Sequence, residues 1–191
     1  MPSPARPHAS FHMLFRLLRE LTLGVTLILC LPIPSRAELP VGQAPPPVVI
    51  DATRGGKVLG GPWTSASLAG KVHTLFYTDP DASELNNEAA QALRAQRFPR
   101  SKYGSVAVIN MAATWIPKAA IDMKLRERQK SFPNTVFVRD LDKTLVKSWN
   151  LADDTSDILA FDRTGKVIFS RDGKLSRRDI QMLLAAIKAH L

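Results

Sequence analysis

An α/β fold, a mixed sheet flanked by helices, is predicted by three features of the chain. The first is the stretch DILAFDRTGKVIFSRDG, residues 157–173. Ile158, Leu159 and Phe161 form one apolar run, Val167, Ile168 and Phe169 another, and Asp162-Arg163-Thr164-Gly165 a turn between them. Apolar and β-branched runs joined by a short loop containing Gly predict an antiparallel hairpin. The second feature follows at once. Ser176, with Asp179 three residues on, reads as a capping-box start in which Asp replaces the usual Glu. Ile180, Leu183, Leu184 and Ile187 then recur at helical spacing to the C-terminus. The third is the alternation of continuous apolar runs with amphipathic segments between Val72 and Trp149. That pattern calls for parallel strands joined by helical crossovers, so the closing hairpin makes the sheet mixed.

The elements can be taken in order from Glu38. Residues 39–47 (LPVGQAPPP) form a Pro-rich lead-in, expected to be extended and to lie on the surface. Val48-Val49-Ile50 reads as a strand, Arg54-Gly55-Gly56-Lys57 as a turn, and Val58-Leu59 as the return strand of an N-terminal β-hairpin extension. Val72 to Tyr77 (VHTLFY) has the character of a strand buried on both faces. Asp81 reads as the N-cap of the next helix and Glu84 as its capping-box partner, with Leu85, Ala89, Ala92 and Leu93 on its apolar face. Val106 to Ile109 forms the next buried strand, Ile121 and Leu125 mark a charged helix, and Phe132-Pro133 breaks it. Val136-Phe137-Val138 is a third strand, and Leu145, Val146 and Trp149 suit a short helix on the sheet. The predicted organisation is a targeting segment over 1–37, the lead-in and hairpin over 38–71, and the main domain over 72–191.

The chain has 191 residues, 45% of them hydrophobic and 23% charged, which excludes a disordered polar chain. Its net charge is +9, and from Glu38 onward 22 basic residues face 16 acids. The N-terminus resembles a secretory signal peptide. Arg16 and Arg19 precede a short apolar run over 21–33, and Ser35-Arg36-Ala37 places small residues where a signal peptidase reads. Cleavage between Ala37 and Glu38 is expected, leaving no membrane span. The apolar run is shorter than the about 20 residues a spanning helix needs, which argues against a retained anchor. The single cysteine, Cys30, lies inside that run behind Leu29, too large a residue for a lipidation site. After cleavage the chain holds no cysteine, hence no thiolate nucleophile and no redox pair.

Five stretches, in order, resemble the YtfJ family of small periplasmic bacterial proteins. They are VGQAPPPVVID (41–51), SLAGKV (67–72), DASELN (81–86), VAVINM (106–111) and SWNLADDTSDILAFDRTGKVIFSRDGKLS (148–176). The likeness runs from about Glu38 to the C-terminus, and the ordered set carries it. It implies a thioredoxin-like fold, similar also to the membrane-tethered thiol reductases of the bacterial envelope, and a place in the periplasm. A thioredoxin sets Cys-x-x-Cys where its first buried strand meets the following helix, whose N-terminus lowers the thiol pKa. By this resemblance those positions fall at about Asp81 and Glu84, and the cis-proline facing them falls near Ser156. The thiols and the proline are all replaced.

Capping accounts for Asp81 and Glu84 by itself. The functional alternative is a carboxylate pair for general acid–base work or for a cation. Asp153, Asp154 and Asp157 form an acidic cluster beside Ser156, so Asp81, Glu84, Asp153 and Asp154 are the metal candidates, against the plainer reading of a solvated acidic loop. Asp140-x-Asp142-x-Thr144 opens like a calcium loop but has Leu145 and Leu151 where Gly and an acid belong. His73 and His190 are far apart and, without cysteine, make neither a zinc site nor a nucleophilic triad. The basic residues are spread over several helices with no nucleic-acid motif among them, so nucleic acid is not an expected partner. Trp115, in the Thr114–Pro117 loop, is a candidate anchor for a partner.

These readings favour a binding or accessory module of the bacterial envelope over an enzyme, with no catalytic residue and no cofactor. The expected partner surface comprises Asp79, Asp81, Glu84, Trp115, Asp153 and Ser156, and the partner is an envelope protein. Two rivals are a thiol oxidoreductase or peroxidase, which needs Cys30 to be retained, and electrostatic association with anionic envelope polymers. The sequence carries no signal for oligomeric state.

Overall fold

A computed structural model describes residues 38–191. The predicted signal segment, the Ala37 side of its expected cleavage position and Cys30 lie outside the described residues. The strands are β1 (Val49–Ile50), β2 (Gly55–Lys57), β3 (Trp63–Thr64), β4 (Val72–Thr78), β5 (Tyr103–Asn110), β6 (Thr135–Asp140), β7 (Ser156–Phe161) and β8 (Val167–Asp172). The helices are α1 (Asn87–Ala95), α2 (Lys118–Ser131), α3 (Thr144–Trp149) and α4 (Arg177–His190). Six strands form one sheet in the order β2-β6-β5-β4-β7-β8. β4, β5 and β6 run parallel through the α1 and α2 crossovers, whereas β7, β8 and β2 are antiparallel to their neighbours. This is the mixed, helix-flanked sheet expected of a thioredoxin-like chain.

The period of two along each strand divides the core. Leu75 and Tyr77 of β4, Val106 and Val108 of β5, and Leu159 and Phe161 of β7 face Trp63, Leu145, Trp149 and the N-terminal segment. Ile158 and Ala160 face the other way, onto Ala89 and Leu93 of α1 and Leu183 and Ile187 of α4. α2 extends that second layer, setting Ile121 and Leu125 on Phe137. The Ser176–Asp179 capping box forms as its spacing predicts, with Ser176 Oγ accepting from the Asp179 N–H at 3.1 Å. Trp63 and Trp149 are central to the first layer. Their rings meet edge to face at 6.4 Å, and Trp149 Nε1 donates to the Pro46 carbonyl at 2.8 Å.

The N-terminal part differs from its sequence reading in two ways. β1 pairs antiparallel with β3, setting Ile50 opposite Trp63, so the extension is a hairpin whose return strand comes later than Val58-Leu59. Leu59 is 82% exposed, whereas Trp63 brings a far larger apolar surface into the core. Second, the Gly-Gly read as a turn becomes the edge strand β2. A Cβ on Gly55 would stand 2.1 Å from the Arg139 carbonyl oxygen, so this close pairing with β6 requires glycine. The Pro-rich lead-in lies mostly exposed on the surface, as its sequence predicts, and is pinned there at one point. Gly42 N donates to Val167 O at 2.8 Å and Val167 N to Gln43 O at 2.9 Å, which covers the end of the β8 edge. Among the described residues no helix is long and apolar enough to cross a membrane.

The β7–β8 register sets Asp157 opposite Asp172. Asp157 is buried, its Oδ2 and Asp172 Oδ1 have no hydrogen-bond partner, and its Oδ1 accepts only a 3.5 Å bond from Ala152 N. Burial first, then the Asp172 carboxylate, pushes Asp157 up to about 8, against the Ala152 bond and helped by Asp79 and Glu38. The folded state therefore keeps a proton that the unfolded chain releases above about 4. Stability declines as pH rises from there through about 8. Asp157→Asn is expected to leave urea stability near pH 4 almost unchanged and to raise it at pH 9, flattening the profile between. Ser176→Ala is expected to cost about 1 kcal/mol, read as a lower urea midpoint at constant m-value.

Candidate functional site

The sheet changes character at β4. β5 lies parallel on one side of it and β7 antiparallel on the other, so the carboxyl end of β4 opens onto the crevice where α/β sheets receive ligands. The chain is held there by local chemistry. Pro80 starts a short 3₁₀ turn, Pro80–Ala82, so Asp79 stays extended at the end of the strand. Its N–H donates to Thr155 O at 3.0 Å, which ties the loop before β7 to the same edge. Asn110 closes β5 beside it, and Asp140 closes β6.

Asp79, Asp153 and Asp154 converge at this edge, with one carboxylate oxygen from each lying within 4.8 Å of the others. Asp79 is only 2% exposed and neither of its oxygens has a hydrogen-bond partner. Asp153 and Asp154 face solvent. Asn110, fully buried, donates from Nδ2 to Asp153 Oδ1 at 3.0 Å and leaves its own Oδ1 without a partner. Lys143 Nζ lies 2.5 Å from Asp153 Oδ2. Burial pushes Asp79 up to about 6, with Asp153 and Asp154 adding to the rise and the Asn110 amide and Lys143 opposing it. The Asp153 hydrogen bond holds Lys143 above its ordinary value. The cluster is thus an oxygen-rich, net anionic edge with one buried carboxylate. It suits a cation or a basic group.

The structure separates the sequence candidates. Asp81 and Glu84 are exposed and do not join the acidic cluster. Nor do they form a capping box. α1 begins at Asn87, after the Pro80 turn and a run of turn residues, with Asn86 at its N-cap. Asn86 is itself diverted, donating to Gly173 O at 2.9 Å and accepting from Leu175 N at 2.9 Å. Ser156 is buried, with its Oγ 3.0 Å from Thr78 Oγ1, so it supports the loop from beneath. Asp157 turns into the Asp172 pair instead of the cluster. Trp115 stands 88% exposed on the loop that follows Asn110.

Asp140 is structural, consistent with its failed calcium loop. It accepts from Tyr77 Oη at 3.3 Å, Asp142 N at 3.2 Å and Leu145 N at 3.1 Å, fixing the entry to α3. His73 sits at the opposite end of β4 with Nδ1 2.9 Å from Leu68 O, and burial lowers its pKa. Sequence reasoning missed Asn110 and Lys143. The first reads only as the end of an apolar run, and the second reaches Asp153 from ten positions away.

A model of a family described as "Bacterial protein of unknown function (YtfJ_HI0045)" matches residues 53–190. The chain is 26% identical over 172 residues to the protein YtfJ of Escherichia coli K12, covering 85% of this chain and 92% of that one. It is 34% identical over 131 residues to an uncharacterized protein of Haemophilus influenzae, covering 66% and 70%. A putative thiol:disulfide interchange protein DsbE from Chlorobium tepidum is similar in fold, with a TM-score of 0.55, 19% identity and coverage of 78% and 99%. A putative protein disulfide isomerase from Bacteroides thetaiotaomicron gives a TM-score of 0.59 at 15% identity, covering 80% and 91%. ScoI of Bradyrhizobium japonicum, a structure with copper bound, gives 0.51 at 17%, covering 78% and 100%. These likenesses to solved structures establish the fold alone. With its family model spanning nearly all of the described residues, the chain belongs to the YtfJ family of bacterial proteins and has a thioredoxin-like fold.

Proposed function

We propose that the protein is an exported thioredoxin-fold module without thiol chemistry, which holds a protein partner in the bacterial envelope. The observation that carries this reading is the composition of the carboxyl end of β4. By the thioredoxin resemblance, the exposed carboxylates Asp81 and Glu84 stand at about the positions where thiol-disulfide proteins of this fold place sulfur. Asp154 and the open indole of Trp115 lie on the loops that precede β7 and follow β5, and Asp79 and Ser156 are buried at the strand ends. A segment with an apolar side chain flanked by basic groups is the complementary chemistry, since Trp supplies contact area and the acids select the charge.

Catalysis finds little support at this edge. The hydroxyl of Ser156 is engaged by Thr78, and His73 lies at the far end of β4. Copper carriage, as in the ScoI likeness, calls for soft or imidazole ligands, whereas the groups gathered here are hard oxygens. Export and loss of the cysteine rest on the N-terminal sequence.

Two measurements test the proposal. The intact mass of the protein from its native envelope fraction is expected to begin at Glu38, and a mass that includes Cys30 would overturn the thiol-free reading. Cross-linking in the native envelope, followed by recovery of the protein, is expected to yield a partner. Trp115→Ala should lose most of that capture, on the order of 2 kcal/mol of binding, with an unchanged circular dichroism spectrum. Capture undiminished by Trp115→Ala combined with Asp81→Asn and Glu84→Gln would remove this surface from the reading.

A further inference from the structure

We propose that Asp79, Asn110, Asp153 and Asp154 form a binding site for a hard divalent cation of the Ca²⁺ type. The inference stands on the geometry of the cluster and goes beyond any partner bound at the neighbouring surface. Three carboxylates lie together, but the buried members are what point to a ligand. Asp79 is 2% exposed and no donor completes a hydrogen bond to either of its oxygens, the nearby Asn110 amide being committed to Asp153, although the carboxylate is directed at Asp153 and Asp154. Burying an unpaired carboxylate costs several kcal/mol unless a positive group meets it. Asn110, wholly buried, likewise keeps its Oδ1 without a partner while its amide nitrogen touches Asp153. A half-turn of that amide presents the carbonyl oxygen to the same space, which adds a neutral fourth ligand.

The donor set selects the ion. All four groups offer oxygen, which hard cations prefer. The three carboxylate oxygens lie within 4.8 Å of one another, close enough to share one ion. Three carboxylates with an amide carbonyl suit Ca²⁺, which takes about six to eight oxygens in flexible geometry, better than Mg²⁺, which keeps several of its waters. The exposed position of Asp153 and Asp154 leaves the outer face of the ion to water. Lys143, now 2.5 Å from Asp153 Oδ2, supplies one positive charge against three carboxylates. It competes with the ion for Asp153 and can swing away, because it lies at the surface.

Isothermal titration of the purified protein with CaCl₂ at neutral pH tests the site. One saturable site is expected, with Mg²⁺ at least tenfold weaker and a Ca²⁺-dependent rise in Tm. Asp79→Asn is expected to weaken Ca²⁺ at least tenfold. Asp154→Asn, on the exposed loop and so free of folding risk, should do the same. Asp81→Asn and Glu84→Gln, outside the cluster, should bind as the parent does. Lys143→Met should tighten binding several-fold by removing the competitor. Absence of saturable binding at about 1 mM Ca²⁺ would overturn the site. So would undiminished binding by Asp154→Asn, or weaker binding by Lys143→Met, which would make Lys143 the intended counter-ion. Equal affinity for Mg²⁺ would overturn the assignment to Ca²⁺.

Discussion

β4 is enclosed on every side, and the architecture around the candidate site follows from that enclosure. Its backbone hydrogen bonds are taken up by β5 on one side and β7 on the other, and its side chains enter both core layers. A strand in this position must be apolar along its length, as VHTLFY nearly is. Because its two neighbours run in opposite directions, the connections that follow β4 and β5 and the one that precedes β7 meet at one edge. Asp79 is buried there because it directly follows the strand and Pro80 keeps the chain extended before it turns away.

The polar groups at that edge divide into two kinds. Asp140 is satisfied by three donors and stiffens the passage from β6 into α3. Asn86 does similar work between α1 and the β8–α4 connection. Asp79 and Asp157 are buried carboxylates with unpaired oxygens, and burial raises both. Such groups weaken a fold, so their concentration at the ligand-receiving edge is informative. Asp157 is relieved by keeping a proton beside Asp172. Asp79 has instead the exposed acids of the neighbouring loop around it, an arrangement suited to a cation.

Among the described residues, Lys143 is the basic group paired with this edge. Several serve packing and positioning. Arg94 lies over the Phe132 ring at 5.7 Å, and Arg139 binds Asp122 at 2.5 Å, which pins α2 to β6. Asp122 in turn holds Arg126 at 2.8 Å. Positive charge is therefore distributed around the helices while negative charge gathers at the end of β4, a polarity that favours a cationic ligand or a basic partner segment.

Sequence by itself determined the alternation of strands and helices from Val72 onward, the closing hairpin and the α4 cap. In each case the deciding forces are local: hydrophobic period, turn residues, and a Ser–Asp pair three positions apart. It also limited the chemistry, since one cysteine in an N-terminal apolar run leaves no redox pair. Tertiary structure alone chose Trp63 over Leu59 as the partner of Ile50, because burial of a large ring outweighs turn spacing. It also drew Asn86 away from capping its own helix. Above all it replaced Asp81 and Glu84 with Asp79 as the companion of Asp153 and Asp154. Asp79 and Asp81 are two positions apart in sequence, yet only the end of a doubly paired strand buries a carboxylate. That burial depends on contacts more than seventy residues away, which no local pattern encodes.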